Sequence, residues 1–140
     1  MTEPTSIDVD QYLPHPPAKV WRALTDRQRL ATWLMPNDFT PVVGHRFTFR
    51  TAPRAGFDGV VHCRVLDVDP ERLMRWSWRG GTLDSVVTWT LRSEGRGTRL
   101  FLRHEGFDPD DPLQRQALRI MGGGWRSHIM RALEADLAAS

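Results

Sequence analysis

Apolar and polar residues alternate through the middle of this chain, and the alternation predicts a sheet. Between residues 44 and 107, five segments follow the period of two that turns one side of a strand toward a core. In "LMRWSWRG", for example, Met74, Trp76 and Trp78 share one face. Turn sequences such as "DPER" and "SEGRGT" separate the segments and predict antiparallel pairing of neighbours. The stretch "SIDVDQYL" alternates in the same way and adds a sixth strand.

Helical spacing marks the remaining segments. "PHPPAKVWRALTD" follows the first strand, and its Pro17 suits the first turn of a helix. Thr25 or Asp26 can then cap a second short helix through "RQRLATWL". Over about residues 113–138, apolar residues recur at the spacing of one long amphipathic helix. The predicted apolar stripe of this helix consists of Leu118, Met121, Trp125, Ile129, Ala132 or Leu133, and Leu137.

Three consecutive glycines, Gly122–Gly124, lie inside the predicted long helix. Each costs about 1 kcal/mol relative to alanine in a helix interior. A helix break there predicts a kink at Gly123. The interpretation we favour is a continuous helix that lacks side chains at this point, so that the sheet can approach or a ligand has room beside Trp125.

These elements predict one α+β domain over residues 1–140. The sheet has an apolar, aromatic face and a face rich in arginine and threonine, and only the last helix is long enough to cover the apolar face. The expected architecture is a helix grip: about six antiparallel strands curve around a long C-terminal helix, with two short helices after the first strand.

Composition and charge exclude several function classes. The 140 residues carry a formal net charge of +2, and the arginines are spread along the chain rather than clustered, which argues against nucleic-acid binding. No apolar run is long enough to span a membrane, and the first residues lack the basic stretch of a secretory signal, so the expected location is the cytoplasm. The single cysteine and the histidine spacing predict no metal site, and no cofactor motif is present.

Four stretches in this order resemble the START-like superfamily, also written SRPBCC: "PHPPAKVWRALTDRQRLATWLMP", "GVVHCRVLDVDPERLMRWSW", "VTWTLRSEGRGTRLFLRHEGF" and "GGGWRSHIMRALEADL". Within it, the chain resembles the family of homologues of the activator of heat shock protein 90 ATPase. The resemblance implies a helix-grip fold with an elongated apolar cavity between sheet and helix, in which members bind hydrophobic small molecules. The co-chaperone that gives the family its name also has a separate N-terminal domain, for which this chain is expected to have no room.

The resemblance and the aromatic face together predict a hydrophobic or amphipathic ligand in that cavity. Apolar burial would supply most of the binding energy, and a few polar groups would set the orientation. The candidate lining residues are Trp33, Phe49, Cys63, Trp76, Trp89, Leu102, His104, Met121, Trp125 and His128.

Two other function classes stay open on the sequence alone. His104 on the sheet and His128 on the helix could face each other as an acid/base pair of a cyclase or hydrolase, although no residue is assigned as catalytic. The chain could instead be a partner-binding module, such as a chaperone or stress-response accessory. A homodimer through the aromatic residues or through the arginine-bearing sheet face is a further alternative.

Overall fold

The computed structural model describes residues 5–54 and 56–140, and six antiparallel strands form one sheet in the order β1-β6-β5-β4-β3-β2. Residues 1–4 of the N-terminal segment and residue 55 lie outside the described residues. The predicted sheet is confirmed, and each predicted strand lies within two residues of the observed one. The strands are β1 Ser6–Leu13, β2 Arg46–Arg50, β3 Val60–Asp69, β4 Leu73–Gly80, β5 Leu83–Glu94 and β6 Gly97–Glu105.

Neighbouring strands in the chain pair from β2 to β6, and β1 closes the order by pairing with β6. In this register Ile7 lies opposite His104, and Trp89 lies opposite Leu102. The pairing of β3 with β4 shifts by one residue between Val65 and Asp67, which is the signature of a β-bulge. The sheet thereby curves around the C-terminal helix, as the helix-grip prediction requires.

Two short helices follow β1, as predicted: α1, Pro17–Thr25, and α2, Arg27–Trp33. A proline occupies the first turn of α1. Of the two predicted caps, Asp26 is the one used, since its Oδ1 accepts hydrogen bonds from the backbone N–H groups of Gln28 and Arg29 at 2.9 and 3.1 Å.

The C-terminal helix is continuous from Pro112 to Ala139 and consists of three parts: α3, Pro112–Gly123, a π-helical turn, Gly124–Ile129, and α4, Met130–Ala139. Gly123 and Gly124 both keep right-handed helical backbone angles, so the predicted continuous helix is confirmed and the break at Gly123 does not occur. The π turn spaces residues by five rather than four, and this shifts the apolar stripe.

The shifted stripe corrects the predicted one. Beyond Trp125 the next buried residues are Met130, Leu133 and Leu137, whereas Ile129, predicted from regular α spacing, is only partly buried. Met121, before the turn, is also only partly buried. The sequence offered no direct sign of the extra residue per turn, although the glycine run marks where it occurs.

Arginines, threonines and carboxylates occupy the outer face of the sheet. Arg99 bridges Asp10 at 3.0 Å and Glu94 at 2.9 Å, and Arg75 lies 3.2 Å from Asp67. These pairs are exposed to solvent, and each contributes at most about 1 kcal/mol. None of the described helices is both long and apolar enough to cross a membrane.

Candidate functional site

An aromatic layer fills the space between the inner face of the sheet and the helices. Trp76 is its centre: its ring centroid lies 5.5–5.9 Å from those of Phe39, Phe47 and Phe49, and 6.1 Å from that of Trp89. Most of these pairs meet edge to face or tilted, which is the arrangement that ring quadrupoles favour. The layer comprises Trp33, Phe39, Phe47, Phe49, Trp76, Trp78, Trp89, Phe107 and Trp125, joined by His104.

The layer is closed to water in this structure. Trp76 and Trp89 have 0 % of their surface exposed, so no water-sized space touches either ring. Two open clefts, of about 520 and 450 Å³, lie instead on the outer face of the sheet, where arginines, carboxylates and threonines are most of the lining residues. A ligand that reaches the layer must therefore displace side chains or move the helix.

Two of the tryptophans in the layer carry an unusual feature. The indole N–H groups of Trp76 and Trp89 are buried and have no hydrogen-bond acceptor among the described residues. By contrast, Trp33 donates to the Ala23 carbonyl at 2.9 Å, and Trp125 donates to His104 Nδ1 at 3.1 Å. A buried donor without an acceptor costs about 1–3 kcal/mol, so the pair is an exception that calls for an explanation.

His104 joins β6 to the C-terminal helix through a chain of hydrogen bonds. Its Nδ1 accepts from Trp125, so its Nε2 carries the proton of the neutral ring and lies 2.8 Å from Ser85 Oγ. The Ser85 hydroxyl in turn donates to the Trp78 carbonyl at 2.8 Å. Each polar side-chain atom in this series of hydrogen bonds has a partner, and the series fixes Trp125 against the sheet.

Burial lowers the pKa of His104 to about 3, since no carboxylate accompanies the ring in the core. The imidazole is therefore neutral at physiological pH. Its one free lone pair, on Nδ1, already accepts the Trp125 hydrogen, so the ring has no site left for a substrate proton. His104 acts here as a structural link, an arrangement that suits positioning rather than acid/base chemistry.

The second histidine of the hypothetical acid/base pair lies elsewhere. His128 is exposed on the π turn, and no hydrogen bond joins it to His104. The structure thus does not bring the two imidazoles together in the interior. Among the described residues, no group of three or more His, Cys, Asp or Glu side chains is placed to hold a metal ion.

The other candidate lining residues differ in burial: most lie in the core, one lies at its margin and one is exposed. Trp33, Phe49 and Leu102 are at most 2 % exposed and belong to the core that faces the helices. Cys63 is buried on the same face, where burial raises the pKa of its thiol and keeps it protonated. Met121 packs at the margin of the core, and only His128 among the candidates is exposed.

Sequence reasoning missed several residues of this site. Ser85 shares the apolar face of β5 with Val87 and Trp89 by simple alternation, so a lone serine at that position was a readable signal. Phe39 lies in the irregular segment between α2 and β2, where no periodicity marks it as buried. Phe47, Trp78 and Phe107 also belong to the layer but were not among the candidates.

The three glycines of the helix differ in their surroundings. A Cβ on Gly122 would lie 3.2 Å from Arg126 Nη1, a tight contact with the end of a side chain of the same helix, and 3.8 Å from Ile7 Cγ1 of β1, which is an ordinary van der Waals distance. Gly123 and Gly124 have open space where a Cβ would be. Packing in the observed state therefore does not explain why these two positions lack side chains.

A curved antiparallel sheet around a C-terminal helix, with an apolar layer between them, defines the helix-grip class of α+β proteins. The family model described as activator of Hsp90 ATPase homolog 1-like protein matches residues 14–138, and the chain belongs to this family.

Solved structures agree with this assignment. Protein MLL2253 of Mesorhizobium loti is similar over 96 % of this chain and 98 % of its own, with 37 % identity and a TM-score of 0.87. Protein BH1534 of Bacillus halodurans has 26 % identity over 98 % and 99 % of the two chains, with a TM-score of 0.81. The Aha1 dimer of Colwellia psychrerythraea shares the fold at 16 % identity, over 96 % of each chain with a TM-score of 0.75. No curated protein matches the sequence.

Proposed function

We propose that this protein binds a hydrophobic or amphipathic small molecule between the sheet and the C-terminal helix. Family membership supports the proposal, and one observation carries it. The helix meets the aromatic layer at a π turn, and neither Gly123, directly before the turn, nor Gly124, its first residue, has a packing reason to be glycine. π turns inside α-helices occur frequently at functional sites. Here the turn lies directly at Trp125, the residue through which the helix contacts Trp78 and Trp89.

Since packing does not require glycine at positions 123 and 124, the property that Gly123 and Gly124 contribute is backbone flexibility. Each lowers helix stability by about 1 kcal/mol relative to alanine. In α3 only Gln114 and Gly122 are buried, whereas α4 buries the large apolar side chains of Met130, Leu133 and Leu137, so α3 is held more loosely than α4. A movement of α3 about the π turn would open the layer beside Trp125 and admit a ligand.

The experiment that tests this uses prodan, an uncharged naphthyl ketone whose emission shifts to the blue in apolar surroundings. We expect saturable binding with blue-shifted emission. The variant Gly123→Ala/Gly124→Ala should be more stable and should bind prodan about tenfold more slowly in stopped-flow fluorescence, because alanine stiffens the turn.

The matched control is Thr32→Ala, an exposed position of α2 where alanine also favours the helix. It should leave the association rate unchanged, which separates opening of the C-terminal helix from general stabilisation. The absence of saturable binding of prodan and of other uncharged naphthalenes to the wild-type protein would contradict the proposed function.

A partner-binding module is the second candidate, and it rests on the exposed side of α3. Leu113 and Ile120 are 53 % and 52 % exposed, and seven residues separate them, so they lie on one side of the helix. A second copy of the chain or another protein could cover them. Sedimentation of the wild type and of Ile120→Asp would test for self-association, with a monomer in both cases counting against a homodimer.

A further inference from the structure

We infer that the interior site selects an uncharged ligand that carries a carbonyl-type acceptor oxygen, and that the indole N–H groups of Trp76 and Trp89 bind this oxygen. The inference rests on the proposed function and adds the chemical class of the ligand. Its basis is the pair of buried donors that the protein itself leaves without acceptors.

The two donors belong to neighbouring side chains at the centre of the layer. The ring centroids of Trp76 and Trp89 lie 6.1 Å apart, and the planes are inclined by 56°. Both residues are completely buried, so water does not satisfy either N–H group. A phenylalanine would supply apolar contact there without a buried donor, so the indole nitrogens add a cost that a ligand acceptor would remove.

The remaining polar groups of the core show what the site does not offer. Apart from the tryptophans, the buried polar side chains are Ser85, Thr98, His104 and Gln114, and each already has hydrogen-bond partners in the protein. A ligand acceptor oxygen would satisfy the two unpaired indole donors, whereas an amine hydrogen would add a further donor beside them. The site therefore favours an acceptor without a donor, such as a ketone.

The charge and shape of the core restrict the chemical class of the ligand further. No arginine, lysine or carboxylate is buried in the described core, so an ionised ligand group at the two indoles would lack a counter-charge. Aromatic rings surround Trp76 and Trp89, with Trp33 and Trp125 each within 5.7 Å of Trp89. A planar aromatic ketone matches both the donors and the ring surfaces.

The test compares two ligands of the same shape, 2-acetylnaphthalene and 2-isopropenylnaphthalene, in which a methylene group replaces the ketone oxygen. Their dissociation constants are measured for the wild type and for Trp76→Phe and Trp89→Phe. We use the ratio of the two constants, because the different solubilities of the ligands in water cancel when the ratio is compared between variants. Each variant should lose about tenfold in preference for the ketone and keep its affinity for the hydrocarbon.

Trp33→Phe is the matched control, since Trp33 contacts Trp89 but donates its N–H to Ala23. It should leave the preference for the ketone unchanged. In the wild type, the ¹⁵N–¹H indole signals of Trp76 and Trp89 should lie further downfield with the ketone than with the hydrocarbon, whereas those of Trp33 and Trp125 should be the same with both ligands. This second measurement keeps the test valid if a variant does not fold.

Two outcomes count against the inference in different ways. If both ligands bind and neither the ratios nor the indole signals distinguish them, the acceptor selectivity is wrong while the proposed function stands. If neither ligand binds, the proposed function fails, and the inference fails with it.

Discussion

The two ends of the aromatic layer differ in hydrogen bonding: at one end the buried polar atoms are paired, and at the other end two buried donors are not. At one end, the Trp125 indole, His104, Ser85 and the Trp78 carbonyl form a chain in which every donor meets an acceptor. At the other end, the indoles of Trp76 and Trp89 have no acceptor among the described residues. Both ends are equally dry, with His104, Trp76 and Trp89 each at 0 % exposed.

This difference separates buried polar groups that hold the fold together from buried donors that the fold leaves unpaired. A completed chain of hydrogen bonds holds the helix in one position against the sheet. An incomplete set costs free energy in the absence of a ligand and is retained only where it has another use or where indole shape is needed. The contrast places the fixed end of the aromatic layer at His104, and in our proposal Trp76 and Trp89 form the end that recognises the ligand.

Substitution of His104, which removes the hydrogen bonds of the fixed end, should have the largest effect on the free energy of unfolding. His104→Ala leaves a cavity and orphans the Trp125 N–H, and we expect it to lower the free energy of unfolding by about 3–5 kcal/mol. His104→Asn places an amide oxygen near the position of Nδ1 and should recover part of this loss. Urea denaturation measures both variants, and a loss below about 1 kcal/mol for His104→Ala would show that the chain is not a structural link.

A comparison of bonded and unbonded tryptophans should give the next largest difference. Trp33→Phe and Trp89→Phe remove the same number of atoms from sites that are 2 % and 0 % exposed. Only the first also breaks a hydrogen bond, to Ala23, so we expect it to cost about 1–2 kcal/mol more in urea denaturation. Equal costs, or a larger cost for Trp89→Phe, would mean that the Trp89 N–H has a partner in solution.

The sequence predicted the frame of the molecule well and the polar detail of the site poorly. Alternation and turn chemistry are local, so they placed all six strands and the aromatic face. Hydrogen bonds such as that from Trp125 to His104 join residues 21 positions apart and depend on side-chain orientation, which alternation does not specify. The π turn moved the buried position from Ile129 to Met130. A prediction from regular α-helical spacing cannot anticipate this, because it assumes the same number of residues per turn along the whole helix.

The smallest expected effect is the pH dependence of the free energy of unfolding, which tests whether the His104 imidazole at the fixed end is neutral. Burial lowers the pKa of His104 to about 3 from the value of 6.5 for an exposed histidine, so the unfolded chain binds more protons between these two values. The stabilisation is therefore complete above pH 6.5 and is lost as the pH falls toward 3. Between pH 7 and 5.5, where carboxylates stay ionised, we expect the free energy of unfolding to fall by about 1 kcal/mol.

His104→Asn provides the control for this dependence, because it removes the His104 imidazole and should reduce the loss of stability over that interval. Burial and Lys19 also lower the pKa of His15, which adds a dependence of the same sign, and His15→Gln measures that part separately. If the wild type and His104→Asn lose the same stability between pH 7 and 5.5, the buried ring is not the group that titrates. If the wild type loses more stability than His104→Asn, the neutral imidazole with its two hydrogen bonds is the state that the fold requires.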